Sequence, residues 1–171
     1  MMQLQDFIRS IPDYPKPGII YKDITPLLSH PEAYQLAIQE LLNTINHTRV
    51  DKIVGIESRG FIFGATMADR LKAGFIPIRK RGKLPAKTHQ IKYELEYGTD
   101  TLEIHQDAIN PGERVIIHDD LLATGGTAAA ACQLVEEMGG KIIQISFLVE
   151  LVFLKGRIQL SDYQVNSILT F

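Results

Sequence analysis

The chain has 171 residues, 45% of them hydrophobic, and its 18 Lys and Arg stand against 20 Asp and Glu for a formal net charge of −2. That length suits one domain spanning residues 1–171 with a core of its own, and a single cysteine excludes an internal disulfide framework or a Cys-rich zinc site. The charge balance argues against a globally basic nucleic-acid binder and against an acidic disordered tail. No apolar stretch approaches the roughly 18–20 residues of a membrane span, and the N-terminus lacks the pattern of a secretory leader. A cytoplasmic chain with no membrane partner is expected.

In chain order, residues 11–26 are extended and Pro-rich and fit neither helical nor strand periodicity. Tyr34, Ala37, Ile38, Leu41, Leu42 and Ile45 recur at helical spacing, with Pro31 suited to the first turn. Residues 52–57 form a short β-rich run, residues 60–73 a helix with Gly74 as its closing glycine, and residues 75–78 another strand. Residues 79–92 hold six of the 18 basic residues and no acid. The run around Gly98, residues 93–105, alternates like a hairpin. Asn110-Pro111-Gly112-Glu113 is a turn, residues 115–117 an apolar strand running into Asp119-Asp120, residues 125–138 a helix carrying Cys132 as a small buried hydrophobe, and residues 142–151 a long strand. The tail from Lys155 onward again fits neither period and is expected to join residues 11–26 in a small cap. The alternation of strand and helix predicts an α/β fold with a central parallel sheet.

The most informative segment is Val115-Ile-Ile-His-Asp-Asp-Leu-Leu-Ala-Thr-Gly-Gly-Thr-Ala128. A strand ends in two carboxylates, and a loop rich in Thr and Gly then opens a helix. In open α/β sheets ligands bind beyond the carboxyl ends of strands, and a helix start there offers free N–H groups to an anion. Gly125 and Gly126 permit close approach of a phosphate, while Thr124 and Thr127 add hydroxyls. No Gly-Lys-Thr/Ser follows at P-loop spacing, and no dinucleotide fingerprint occurs. Paired acids beside a phosphate cradle suit a ligand that carries hydroxyls or a developing positive charge next to its phosphate, as a sugar phosphate does. The bland alternative is a solvated turn capped by two acids.

The stretch from Asp119 to Thr127 resembles the phosphoribosyl-diphosphate motif of the type I phosphoribosyltransferases. Tyr14-Pro-Lys-Pro-Gly18, Asp23-Ile-Thr-Pro26, Glu57-Ser-Arg-Gly-Phe61, Arg79-Lys-Arg-Gly-Lys-Leu-Pro85, Leu95-Glu-Tyr-Gly98 and Leu148-Val-Glu-Leu151 resemble the adenine-specific members, in family order and over nearly the whole chain. The resemblance implies a Rossmann-like sheet flanked by helices, with a small N-terminal hood over about residues 1–30 and a flexible hairpin lid over about residues 81–105. It implies the reaction of adenine with phosphoribosyl diphosphate to AMP and pyrophosphate in purine salvage, with Mg²⁺ bound mainly through the substrate, in a homodimer.

By the same resemblance, Asp119 and Asp120 hold the ribose hydroxyls and stabilise a cationic sugar, and Ala123, Thr124, Gly125, Gly126 and Thr127 cradle the 5′-phosphate. Ser58 and Arg59 face the pyrophosphate, and Arg79, Lys80 and Lys83 contact the diphosphate. Glu96 is a proton-transfer candidate beside Tyr97. Tyr21 stacks on the base, the backbone at Ile20 and Lys22 reads its edge, and Leu151 forms the opposite wall. Taken without the family, Arg59 is a surface arginine at a helix start, residues 79–92 a solvated basic loop, Tyr21 a core aromatic, and Glu96 and Tyr97 ordinary hairpin residues. Three features depart from the family: His118 stands where an aliphatic residue is usual, Lys22 replaces a common Arg and loses its planar stacking, and residues 86–92 are not closely similar. A transferase for another base and a non-catalytic sensor that binds nucleic acid are the competing readings.

Overall fold

A computed structural model of the chain describes residues 2–46, 49–94 and 98–171. In chain order the elements are β1 (Arg9–Pro12), β2 (Ile20–Asp23), α1 (Thr25–Ser29), α2 (Pro31–Asn43), β3 (Lys52–Ile56), α3 (Gly60–Leu71), β4 (Gly74–Lys80), β5 (Thr88–Glu94), β6 (Thr99–His105), β7 (Arg114–Leu122), α4 (Gly126–Glu137), β8 (Lys141–Glu150) and β9 (Val165–Thr170), with short 3₁₀ turns at Leu4–Phe7, Val152–Leu154 and Gly156–Leu160. The main sheet has the order β5-β6-β4-β3-β7-β8-β9. Strands β4, β3, β7, β8 and β9 run parallel, and β6 pairs antiparallel with both β4 and β5. This is a Rossmann-like α/β sheet flanked by helices, as the resemblance implies, with β1 and β2 pairing as a separate antiparallel ribbon at the N-terminus.

The central strands read as apolar runs because both faces are covered. Val54 and Ile56 of β3 and Val115 and Ile117 of β7 turn toward α4, where Ala131, Leu134 and Val135 are buried. Ile53 and Ile116 turn the other way, toward α2 and α3, and pack with Leu41, Phe63 and Met67. Pro31 opens α2, and the His30 ring accepts a hydrogen bond from the Ala33 amide, a side-chain cap at the helix start. Cys132 is fully buried on α4, and burial pushes its thiol up to about 12, so it serves as a core residue.

Four local expectations are revised. Helix α3 stops at Leu71, and Lys72 takes the left-handed position with φ 54° while its amide and that of Ala73 bond back to Asp69 and Ala68. Gly74 instead starts β4 opposite Lys52, whose side chain a Cβ would approach to 3.0 Å. The strand carrying the paired acids does not end before them: β7 runs on to Leu122 because β8 pairs with it that far, Asp119 opposite Phe147 and Leu122 opposite Glu150. The basic stretch is a loop only over residues 81–87, since β4 takes Arg79 and Lys80 and β5 takes residues 88–92. The tail is not wholly a cap, because residues 165–170 form β9 on the edge of the main sheet, parallel to β8. Val165-Asn-Ser-Ile-Leu-Thr170 mixes polar and apolar residues, as a half-covered edge strand tolerates.

Candidate active site

The carboxyl ends of β3, β4 and β7 converge on a cleft of about 560 Å³, lined by Tyr21, Glu57, Ser58, Arg59, Lys80, Tyr93, Asp100, Asp119, Asp120 and Thr127. Parallel strands put these residues together because every strand of the set ends on the same side of the sheet. β3 hands over to α3 in the turn Glu57-Ser58-Arg59, where Phe61 N donates to Ser58 O and Ile62 N to Arg59 O. Gly60 lets that turn lie directly on β7: a Cβ there would come 2.8 Å from the His118 carbonyl oxygen and 3.1 Å from Asp119 Oδ1. Arg59 is thereby carried to the paired acids.

Arg59 Nε lies 2.9 Å from Asp120 Oδ2, whose residue is only 3% exposed. Asp119 Oδ1 accepts the Asp120 amide at 2.8 Å. Burial raises the Asp119 carboxyl well above its ordinary value, and the charge of Asp120 adds to the rise. Burial also raises Asp120, with Arg59 opposing it. Two carboxylates in one desolvated corner resist ionising together. The Arg59 guanidinium favours the charged form of Asp120, and a cationic ligand beside the pair would favour that of Asp119.

Arg59 also donates to the Tyr21 hydroxyl and sits 5.4 Å from the centroid of that ring. On the opposite side, Lys80 Nζ pairs with Asp100 at 3.2 Å, and Tyr93 and Thr127 line the cleft. Glu57, Tyr93 and Asp100 were not singled out from the sequence. Glu57 had a signal, being an acid at the end of a parallel strand, whereas Tyr93 and Asp100 reach the cleft only through the packing of β5 and β6 beside α4.

Beyond β7, residues 123–125 turn into α4. Gly125 takes φ +89°, which admits a glycine at little cost, and no side chain caps the first turn of α4 among the described residues. The free amides and the positive end of the helix dipole therefore face a small recess of about 70 Å³ lined by Asp119, Ala123, Thr124, Gly125 and Thr127. It has the chemistry of a site for a compact anion. Gly126 packs under β5, where a Cβ would approach the Glu94 carbonyl oxygen to 3.2 Å.

The remaining expected site residues lie in two further places. Arg79 forks onto Glu57, with Nε to Oε2 and Nη2 to Oε1 both at 3.2 Å, and its Nη1 donates to the Lys83 carbonyl at 3.1 Å. Burial works to raise the Glu57 carboxyl, but the Lys80 amide and Arg79 hold it below its ordinary value. The Arg79 guanidinium is thus committed to Glu57, while the Lys83 side chain is exposed. Ile20, Lys22 and Leu151 line a separate apolar groove of about 420 Å³ with Ile19, Phe153 and Phe171. Strand alternation turns Tyr21 into the cleft and its neighbours away, and Lys22 Nζ donates to Ser10 Oγ at 3.0 Å and lies 3.9 Å over the Phe171 ring. Glu96 and Tyr97 lie outside the described residues.

His118 is fully buried, its ring 6.0 Å from that of Phe63 in an edge-on arrangement, and burial pushes its pKa down to about 3. It is a neutral core residue. Among the described residues no group of three or more His, Cys, Asp or Glu is placed to hold a metal ion. Of the four carboxylates lining the cleft, Glu57, Asp100 and Asp120 are each paired with a cation, which fits a hard dication arriving on a polyphosphate rather than a protein cage. No helix among the described residues is long and apolar enough to cross a membrane.

Residues 24–168 match the family model of the phosphoribosyl transferase domain. An adenine phosphoribosyltransferase of Christiangramia forsetii is 56% identical over 170 residues, covering 99% of each chain. The crystal structure of adenine phosphoribosyltransferase from Thermoanaerobacter pseudethanolicus superposes with a TM-score of 0.96 at 52% identity, over 98% of each chain. The enzyme from Saccharomyces cerevisiae, complexed with an imino-altritol bisphosphate and adenine, superposes with a TM-score of 0.92 at 42% identity, over 97% of this chain and 96% of that one.

Proposed function

The chain belongs to the phosphoribosyl transferase domain family, and from that premise we infer that it is an adenine phosphoribosyltransferase, moving the 5-phosphoribosyl group of phosphoribosyl diphosphate onto adenine with release of pyrophosphate and formation of AMP. The observation that carries the reading is the meeting of three parts at one strand edge: the Asp119–Asp120 pair, Arg59 across from it, and an uncapped helix start beside both.

In such a transfer the bond from the ribose anomeric carbon to the diphosphate oxygen breaks, and a bond to a base nitrogen forms. Positive charge builds on the sugar and negative charge on the leaving pyrophosphate. Opposed charges set in place beforehand, with water excluded, supply the stabilisation. Asp119 and Asp120 are assigned to the ribose hydroxyls and the cationic sugar, residues 123–127 to the 5′-phosphate, and Ser58, Arg59, Lys80 and Lys83 to the pyrophosphate. Arg79 acts through Glu57, fixing the turn that carries Ser58 and Arg59. Mg²⁺, held mainly by oxygens of the diphosphate substrate, would neutralise the leaving group. Tyr21, the backbone at Ile20 and Lys22, and Leu151 are assigned to the base, with Glu96 as proton-transfer group and Tyr97 beside it. The hood of residues 1–30 and the lid of residues 81–105 are assigned to closing the site over substrate.

The working unit in this reading is a cytoplasmic homodimer with no nucleic-acid or membrane partner. The experiment that tests the substrate is a panel of adenine, hypoxanthine, guanine and orotate with phosphoribosyl diphosphate and Mg²⁺. Adenine is expected to give the highest kcat/KM, and a higher value for hypoxanthine overturns the assignment. Salt-sensitive nucleic-acid binding without turnover overturns the reaction itself.

A further inference from the structure

Behind the anion-binding loop lies an ion pair that none of the chemistry above uses. Glu150, the last residue of β8, is 5% exposed. Arg157 donates to both of its oxygens, Nε to Oε1 at 2.8 Å and Nη2 to Oε2 at 2.7 Å, and Ser167 Oγ on β9 donates to Oε2 at 2.6 Å. The third Arg157 nitrogen, Nη1, donates to the Val165 carbonyl at 2.9 Å. Parallel, charge-assisted bonds of this kind fix orientation as well as distance. Arg157, more than any other group, holds the Glu150 carboxyl below its ordinary value.

The pair ties the end of β8 to the second of two 3₁₀ turns, across a bend hinged where Lys155 takes φ 54°. The bend presses Gly156 onto the loop. A Cβ on Gly156 would collide with the Ala123 carbonyl oxygen and lie 2.9 Å from Leu122 Cδ1, and a Cβ on Gly125 would collide with the Gly156 carbonyl oxygen in return. Gln159 flanks the same stretch: its Cβ would stand 3.3 Å from a Cβ on Gly125 and its Oε1 3.7 Å from one on Gly126. Leu151 N donates to Leu122 O at 2.9 Å where the bend begins. A loop rich in glycine has many conformations, and ordering it at the moment of binding subtracts from affinity.

We propose that Arg157, acting through Glu150, is a positioning residue for the phosphate loop: the clasp holds residues 151–160 against residues 123–126 and sets the 5′-phosphate cradle in its binding geometry before substrate arrives. The proposal rests on the reading of that loop as the 5′-phosphate site. It separates the two anionic ends of the substrate, because the bend that the clasp ties packs on the loop, Gly156 against Ala123 and Gly125, whereas the turn that carries Arg59 rests on His118 and Asp119.

The test is calorimetric titration of the full chain and Arg157→Met with ribose 5-phosphate and, separately, with pyrophosphate and Mg²⁺. Arg157→Met is expected to weaken ribose 5-phosphate by about tenfold, the worth of about one hydrogen bond to a charged group, and to leave pyrophosphate within about twofold. In turnover, KM for phosphoribosyl diphosphate rises while KM for adenine stays, and Arg157→Lys, which keeps charge but loses the fork, falls between. Should Arg157→Met not fold, Ser167→Ala removes one bond to Glu150 and is expected to show the same selectivity at smaller size. Unchanged ribose 5-phosphate affinity, or equal losses for both ligands, overturns the inference while leaving the transferase reading in place. A wild-type chain that does not bind ribose 5-phosphate overturns the reading of the loop and the inference together.

Discussion

Arg59 and Asp120 meet at 2.9 Å although one opens α3 and the other lies in β7. The contact exists because β3 and β7 are parallel neighbours with Gly55 opposite His118, so that β3 ends beside the paired acids, and because Gly60 leaves room for the turn between β3 and α3 to rest on Asp119. A half-buried arginine is thereby held against an acid pair of which Asp120 is buried.

That pair is expected to serve turnover at the expense of stability. Asp119→Asn and Asp120→Asn should each lower kcat by about 10²–10³-fold, the usual cost of removing one preorganised electrostatic partner. Thermal melting should show a smaller loss than turnover does, since each change relieves a desolvated carboxylate and the Arg59 left by Asp120→Asn is partly open to solvent. Unchanged turnover in either variant removes that residue from the mechanism.

The raised Asp119 carboxyl also sets a pH dependence. The active form needs it ionised, so kcat/KM should rise with pH along a limb centred above the ~3.9 of an ordinary Asp. Asp120→Asn removes the neighbouring charge, and the limb measured on its residual activity should move to lower pH. A limb that stays put shows that another group controls it.

Gly60→Ala should be more damaging than a helix-start alanine has any local reason to be. The added methyl would stand 2.8 Å from the His118 carbonyl oxygen, so the turn must lift off β7 and carry Arg59 with it. A loss of about 10²-fold in kcat/KM is expected for such a misplacement. Activity near wild type would show that Arg59 tolerates the displacement.

Arg79 and Lys83 should separate. Arg79→Ala leaves Glu57 without its forked partner and should cost about 1–3 kcal/mol of stability in denaturant unfolding, as for hydrogen bonds to a charged group. Lys83→Ala should leave stability alone and raise KM for phosphoribosyl diphosphate several-fold. Intact diphosphate affinity in Lys83→Ala would make the exposed basic loop a solvated face.

His118 predicts acid sensitivity of the fold. Its folded pKa of about 3 lies below the ~6.5 of the unfolded chain, so between these values the unfolded state binds a proton that the folded state refuses. Stability therefore falls as pH drops, by about 2 kcal/mol from pH 7 to pH 5 for this group alone. His118→Val should flatten that part of the profile in urea melts at the two pH values. An unchanged slope would place the acid sensitivity on other groups.

Strand, acid pair, Thr-Gly-Gly loop and helix were legible together, because each has a local cause: apolar runs, glycine at the positive φ, and an uncapped helix start. Covered strands, the buried Cys132 and the site at the strand ends followed from the same local rules. Local pattern failed where pairing partners decide. β7 extends through both acids because β8 lies beside it, residues 88–92 became strand because β6 accepts them, and residues 165–170 entered the sheet because β8 had a free edge. The division of labour among the cations was likewise invisible. Net charge averages over Arg79 on Glu57, Lys80 on Asp100 and Arg59 on Asp120, three ion pairs between residues at least 20 positions apart in sequence. The sequence by itself determined which local units exist and that one of them offers free amides to an anion. Only the tertiary structure decided which charges are spent on one another and which segment backs the phosphate loop, because those choices depend on strand neighbours and close backbone contacts that no local window contains.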